Sequence, residues 1–230
     1  CASATFVSFS AFNKALLQNL NIYIIETEYP KLSLGTLKNL TELYLDSYFN
    51  GVNLNSFTGF VPNLYKISIN NISISSSISF SFLSNVREFS LGGSCDYDYL
   101  YTKLYTLANL KKLTLNSNWS FSPNFPGNLL NFSNNQQLEY LFVYLSASTA
   151  SYLPINLANN LNLKHLELYN YNSNSISLNN NLLLENLILQ SSHFTSPINL
   201  SNNVNLKKLK LYGVTLSTIP SPYSINLSQN

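Results

Sequence analysis

Apolar and polar residues along this chain follow two periods, a local alternation and a long-range repeat of about 23 residues. A six-residue core (apolar, two variable residues, apolar, one variable, apolar) recurs from end to end. It runs Leu17-Leu20-Ile22, Leu40-Leu43-Leu45, Leu64-Ile67-Ile69, Val86-Phe89-Leu91 and Leu110-Leu113-Leu115 in the first half. It continues as Leu138-Leu141-Val143, Leu163-Leu166-Leu168, Leu184-Leu187-Leu189 and Leu206-Leu209-Leu211. The first residues of successive cores stand 23, 24, 22, 24, 28, 25, 21 and 22 apart. Apolar residues two apart predict a short strand with one side buried and the residue between them facing solvent. A unit this small cannot bury its apolar side alone, so neighbours must stack into a continuous core.

These L-x-x-L-x-L cores resemble those of the leucine-rich-repeat family over roughly residues 14 to 230. The resemblance implies an α/β-type repeat solenoid, mostly strand and loop. It implies a right-handed horseshoe with one short parallel strand per repeat and little helix on the convex side. Residues 1–16 are expected to be an N-terminal cap or flanking segment, with a short helix or cap over Ala11–Leu20. Residues 17–224 hold about nine repeats and 225–230 begin a further one. The hexamer Ile225-Asn-Leu-Ser-Gln-Asn230 and the lack of any Met lead us to expect a parent chain that continues C-terminally. The family places an Asn three residues past the core. Here that slot holds Tyr48, Ile72, Ser94, Asn118, Ser146, Tyr171, Ser192 and Val214, so only Asn118 matches and irregular strand-leaving turns are expected.

Asn clusters before the core instead. Ile155-Asn-Leu-Ala-Asn-Asn160, Ile176-Ser-Leu-Asn-Asn-Asn181 and Ile198-Asn-Leu-Ser-Asn-Asn203 are near copies of one another. Their Ile and Leu are expected to point inward while the Asn pair turns the chain toward the next strand. Pro154 and Pro197 disfavour a long helix there. The two longest spacings place candidate protruding loops at Trp119–Asn135 and Ser146–Asn159.

Composition narrows the functional classes. Leu (42), Asn (36) and Ser (34) make up nearly half of the 230 residues, and only 10% are charged. At 45% hydrophobic and a net charge of +2, the chain is too apolar and too neutral to be a disordered low-complexity segment. Twelve Lys plus Arg against ten Asp plus Glu leave no basic stripe for nucleic acid. No apolar run reaches the roughly 20 residues of a membrane-spanning helix, so membrane insertion by this segment is not expected.

Reactive chemistry is sparse. His165 and Glu167 share one face of a strand and form the one candidate acid–base pair, but two polar residues on a solvated face is the stronger reading. His193 falls in a turn. No metal-ligand spacing, nucleophile motif or phosphate loop is present, so neither enzyme activity, a metal nor a cofactor is expected. Cys1 and Cys95 lie about three repeats apart, too far for a disulfide unless the N-terminus folds over. Cys95 reads as a small buried hydrophobe. Six N-x-S/T sequons, at Asn39, Asn71, Asn118, Asn131, Asn199 and Asn226, are possible glycosylation sites, although the composition alone would produce about seven.

The outward strand positions carry the functional expectation. Repeats two to five present mixed polar residues: Glu42, Tyr44, Asp46, Lys66, Ser68, Asn70, Glu88, Ser90, Gly92, Lys112, Thr114 and Asn116. Repeats six to nine present Tyr140, Phe142, Tyr144, His165, Glu167, Tyr169, Asn186, Ile188, Gln190, Lys208, Lys210 and Tyr212. Contiguous aromatics on a face that should be wet mark an interaction surface. The expectation is a non-catalytic module that binds a protein or peptide through the concave face of the second half. Low charge with abundant Asn, Ser and Tyr suits a secreted or cell-surface adhesion or signalling protein. An A/T-rich, low-GC genome would bias the codons the same way. A scaffold arm of an intracellular signalling protein is the alternative.

Overall fold

The computed structural model describes residues 6–8, 16–24, 31–47, 52–54, 56–74, 83–93, 104–116, 129–145, 154–216 and 225–227. It falls into two compact units, Cys1–Leu107 and Ala108–Asn230. Each is a stack of parallel strands, and every one of the nine predicted cores forms one.

In the first unit Asn19–Ile24, Glu42–Ser47, Lys66–Asn70 and Glu88–Gly92 pair in that order, in parallel and in register with the repeat. In the second, Lys112–Asn116, Tyr140–Tyr144, His165–Tyr169, Asn186–Gln190 and Lys208–Tyr212 do the same. Core residues fall opposite core residues: Leu141 pairs with Leu166 and Leu166 with Leu187. In Tyr140–Tyr144, His165–Tyr169 and Asn186–Gln190 burial alternates strictly, as the period of two requires. Leu141, Val143, Leu166, Leu168, Leu187 and Leu189 are fully buried, while the residues between them face outward. The fold is a parallel, leucine-rich-repeat-like solenoid. Among the described residues helix is confined to single positions, Leu83 and Leu104.

Shorter parallel ladders close the coils. Phe6–Ser8, Lys31–Thr36 and Ser56–Phe60 form one in the first unit, and Val52–Leu54 pairs with Ile72–Ile74. In the second unit Leu130–Asn131 pairs with Ile155–Asn156, and Asn172–Ser173, His193–Phe194 and Thr215–Leu216 form a third wall. Part of the expected N-terminal helix is thus strand: Asn19 and Leu20 already pair with Glu42 and Leu43. Residues 11–15 lie outside the described residues, as does most of each expected loop. The described ends of those loops are not protrusions. Leu130, Phe132 and Asn135 are buried, and so are Ile155 and Leu157.

The strand-leaving turns correct the expectation of irregularity in part, since five of the eight described positions share one backbone form and Ile24, Ser47 and Leu145 do not. Two residues past the core the backbone turns left-handed at the same repeat position in Asn71, Gly93, Asn170, Ser191 and Gly213. Gly and Asn reach this region at little cost, so the turn needs no Asn in the family's slot. The next residue is drawn into the core instead, as with Ile72 and Tyr171. Where it is Ser192, its hydroxyl accepts the Tyr171 N–H at 3.3 Å and donates to the Gln190 carbonyl at 3.0 Å. Asn118 lies outside the described residues.

The Asn pairs do more than turn the chain. In each pair the first residue is exposed and the second is fully buried: Asn160, Asn181 and Asn203 are all 0% accessible, as is Asn135 one repeat earlier. The amides of Asn160, Asn181 and Asn203 each donate twice to the repeat before. Asn160 Nδ2 bonds the carbonyls of Phe132 (3.0 Å) and Asn135 (2.7 Å). Asn181 bonds Leu157 (3.1 Å) and Asn160 (2.9 Å), and Asn203 bonds Leu178 (3.1 Å) and Asn181 (2.9 Å). An asparagine ladder therefore runs through the second unit, three residues before each core. In the first unit and at its border the same slot holds Leu37, Val61, Leu83 and Leu107, all buried. A parallel column sits just before the core, where Asn63, Asn85, Asn162 and Asn205 donate to carbonyls of the preceding repeat at 2.7 to 3.1 Å.

Candidate recognition surface

The outward residues of the second unit stand in three rows, because in-register parallel pairing sets equivalent positions side by side. One row is Lys112, Tyr140, His165, Asn186 and Lys208. The middle row is Thr114, Phe142, Glu167, Ile188 and Lys210, and the last is Asn116, Tyr144, Tyr169, Gln190 and Tyr212. Ten of these positions were singled out from sequence. Tyr140, Phe142, Tyr144, His165, Glu167, Tyr169 and Ile188 are half-buried among one another, whereas Lys208, Lys210 and Tyr212 stand exposed on the last strand.

Their contacts form one continuous surface. The rings of Phe142 and Tyr169 lie 5.2 Å apart and those of Tyr144 and Tyr169 6.5 Å, both tilted. Tyr140 and Tyr169 both donate their hydroxyls to Glu167, at 3.3 and 3.2 Å. Burial, reinforced by the Glu167 charge, pushes the Tyr140 phenol up to about 12. Burial and then Glu167 raise Tyr169 in the same way. Lys112 places its ammonium 5.1 Å above the Tyr140 ring, a cation–π contact that anchors one corner. Behind this row Glu139 accepts Lys111 at 2.9 Å and Lys164 at 3.1 Å, and the two cations hold its carboxyl below the usual range.

The candidate acid–base pair shares one strand face but makes no mutual hydrogen bond among the described residues. The Asn186 amide donates to His165 Nδ1 at 2.8 Å, which leaves the proton of a neutral ring on Nε2. Glu167 is engaged by its two tyrosines, and no hydrogen bond joins it to His165 among the described residues. His193 lies on the short strand His193–Phe194, with Nδ1 2.6 Å from Thr215 Oγ1. Among the described residues no group of three His, Cys, Asp or Glu could hold a metal ion, and no helix is long and apolar enough to cross a membrane. Cys1 and Cys95 lie outside the described residues.

The sequons differ in availability. Asn39, Asn199 and Asn226 are exposed. Asn131 Oδ1 accepts from Ser133 N and from Asn156 Nδ2, both at 3.1 Å, and Asn71 donates its amide to Asp46 at 3.2 Å.

Sequence reasoning passed over the first unit's open face, which holds a depression of about 270 Å³. Asn19, Asn21, Tyr23, Glu42, Leu43, Tyr44, Lys66 and Ser68 line it. The parity that exposed the second half's tyrosines applies equally to the first repeat, where it selects Asn19, Asn21 and Tyr23. Around this depression Tyr44 donates to Asp46 at 2.9 Å and accepts from Asn70 at 3.0 Å, while Lys66 pairs with Glu42 at 3.2 Å.

No protein-family model matches the chain, and no curated protein matches it in sequence. Among solved structures it is similar to a leucine-rich-repeat protein of Leptospira interrogans, at 17% identity and a TM-score of 0.37, over 90% of this chain and 69% of that one.

Proposed function

We propose that this chain is a non-catalytic recognition module that binds a protein or peptide partner through the open face of its second unit. The observation that carries the proposal is the aromatic cluster Phe142, Tyr144 and Tyr169 on the strand face that does not line the core. Tyr and Phe are the residue types enriched at the centres of protein interfaces, where they give large contact area for few rotatable bonds. Glu167 between them is already satisfied by two hydroxyls, and Lys208 and Lys210 supply an adjoining positive edge. The surface thus has an aromatic centre and a charged rim. We further propose that the module belongs to a secreted or cell-surface protein, a reading supported by its low charge together with its abundant Asn, Ser and Tyr.

The test is a selection of displayed random peptides on the immobilised full chain, with Phe142→Ala and Tyr169→Ala as counter-screens. Enriched peptides should bind the parent chain and lose at least tenfold in affinity against either variant, with melting temperatures within a few degrees of the parent. Peptides that bind both variants as well as the parent would refute the surface, as would an absence of enrichment. Glycan occupancy at Asn39 and Asn199 of the native protein tests the location. Unmodified asparagines there would count against it.

A further inference from the structure

We infer that the depression on the open face of the first unit is a binding site for a neutral saccharide. It lies outside the surface described under the proposed function and rests on no part of it.

The free chemistry of the depression is uncharged. Among the described residues its only ionised side chains, Glu42 and Lys66, neutralise each other at 3.2 Å, and Glu42 also accepts the Tyr65 hydroxyl at 2.9 Å. The nearby Asp46 carboxylate is consumed by Tyr44 Oη, the Ser47 N–H and the Asn71 amide. An anion or a cation would have to break one of these pairs to gain a partner. The groups left over are the amides of Asn19 and Asn21 and the hydroxyls of Ser68 and Tyr23, none of which has a hydrogen-bond partner among the described residues. A primary amide presents a donor beside an acceptor, and a hydroxyl can be either. Vicinal sugar hydroxyls present the same alternation.

The apolar part of the lining is aromatic. Tyr23 and Tyr44 meet at an angle of 55° with centroids 5.9 Å apart, so they form two walls of a notch and not a slot for a flat ring. Tyr44 is pinned through its hydroxyl on both sides, to Asp46 and to Asn70, which makes it a fixed platform. Tyr23 is 65% exposed, a cost in apolar surface that a ligand would relieve. The negative face of an aromatic ring attracts the weakly positive C–H edge that a pyranose turns toward it. A peptide would want apolar side-chain pockets, and apart from the tyrosine rings only Leu43, itself buried, is apolar among the described residues here. The volume of about 270 Å³ falls at the bottom of the ~300–1,000 Å³ range of small-molecule sites and fits one or two sugar rings. So few contacting atoms make a single site weak, so detection needs multivalent display.

The full chain, biotinylated and tetramerised on streptavidin, is applied to an array of neutral hexose, deoxyhexose and N-acetylhexosamine oligosaccharides, with sialylated and sulfated glycans alongside. At least one neutral glycan should be retained and should be competed by its free terminal monosaccharide. Retention should fall at least tenfold with Tyr23→Ala and with Asn21→Ala, both on exposed positions where the melting temperature stays put. Phe142→Ala should leave it unchanged, which separates this site from the second unit's surface. Retention of charged glycans alone, of no glycan, or of a neutral glycan indifferent to Tyr23→Ala would overturn the assignment.

Discussion

Replacing Asn181 by Asp and by Leu tests whether the buried asparagine ladder is an energetic element of the fold. Asn181 is fully buried, and its Nδ2 donates to the carbonyls of Leu157 and Asn160, while its Oδ1 has no donor among the described residues. Both carbonyls also accept a backbone N–H, from Asn160 and from Leu163, so neither is orphaned when the side chain goes. Leucine then forfeits two net hydrogen bonds, about 1 kcal/mol each. It regains part of that by removing an unpaired buried acceptor and adding apolar burial. The same slot already holds Leu37, Leu83 and Leu107 in buried positions, so the side chain fits the coil. The expected cost of Asn181→Leu is about 0–2 kcal/mol, a fall of at most roughly 4–8 °C for a chain of this size.

Aspartate reverses both donors into acceptors facing two carbonyl oxygens. Leaving an uncompensated charge in the interior costs about 3–5 kcal/mol, or roughly 6–20 °C. Burial raises the pKa of that carboxyl in the folded state above its unfolded value. A group shifted upward contributes its stability below the unfolded pKa and loses it as pH rises through the folded one. The Asn181→Asp deficit relative to the parent should therefore be large at pH 7 and shrink toward pH 4. Thermal melts followed by circular dichroism at both pH values decide the matter. Equal costs for Asp and Leu at pH 7, or an Asp deficit indifferent to pH, would show that the ladder geometry is wrong.

Three further outcomes follow from particular contacts. At Gly93, with φ of +74°, a methyl group would overlap Asn71, whereas at Gly213, with φ of +60°, its nearest neighbour would be Ser191 at 3.7 Å. Gly213→Ala should cost only the left-handed strain of about 1–2 kcal/mol, and Gly93→Ala clearly more, as read from denaturant midpoints. The Tyr140 phenol, raised to about 12, keeps its proton in the folded state after the unfolded chain has lost it. Its stabilising effect is complete below pH 10 and fades toward 12, and Tyr140→Phe should remove one late-titrating phenol from an ultraviolet absorbance titration. Glu139→Gln frees Lys111 and Lys164 at an exposed site, so the melting temperature should fall by no more than about 4 °C. The Glu139 carboxyl sits below its ordinary range, so that loss should be seen at neutral pH and vanish as acid protonates the parent's glutamate.

The strands were legible because an apolar residue at every second position is a direct statement of which side is buried. All nine cores became strands, and the parity placed Tyr140, Phe142 and Tyr144 on the same face as His165, Glu167 and Tyr169. The turns were less legible. A left-handed backbone at Asn71, Asn170 and Ser191 carries no glycine to announce it, and only its recurrence two residues past the core would have done so. In the Asn pairs, two identical side chains stand in sequence and the turn geometry alone decides which enters the core. The depression at Tyr23 and Tyr44 was missed for a different reason. Its polar residues look ordinary one at a time, and what distinguishes them is which of them are already paired.

The scarcity of charge and the abundance of asparagine have one physical cause. A coil that closes through tight turns, with helix only at single positions among the described residues, leaves backbone carbonyls facing the next coil, where a buried donor adds a second hydrogen bond to acceptors that already hold a backbone N–H. Lysine or arginine would bring a desolvation penalty of several kcal/mol at each level of the stack. The asparagine amide brings two donors and no charge, and because its donors reach the repeat before it, every copy also ties two levels together. Stability along such a stack is set by neighbouring interfaces. A run of identical amides on the turn side therefore leaves the outward strand positions, which make none of these bonds, free to carry tyrosine and phenylalanine.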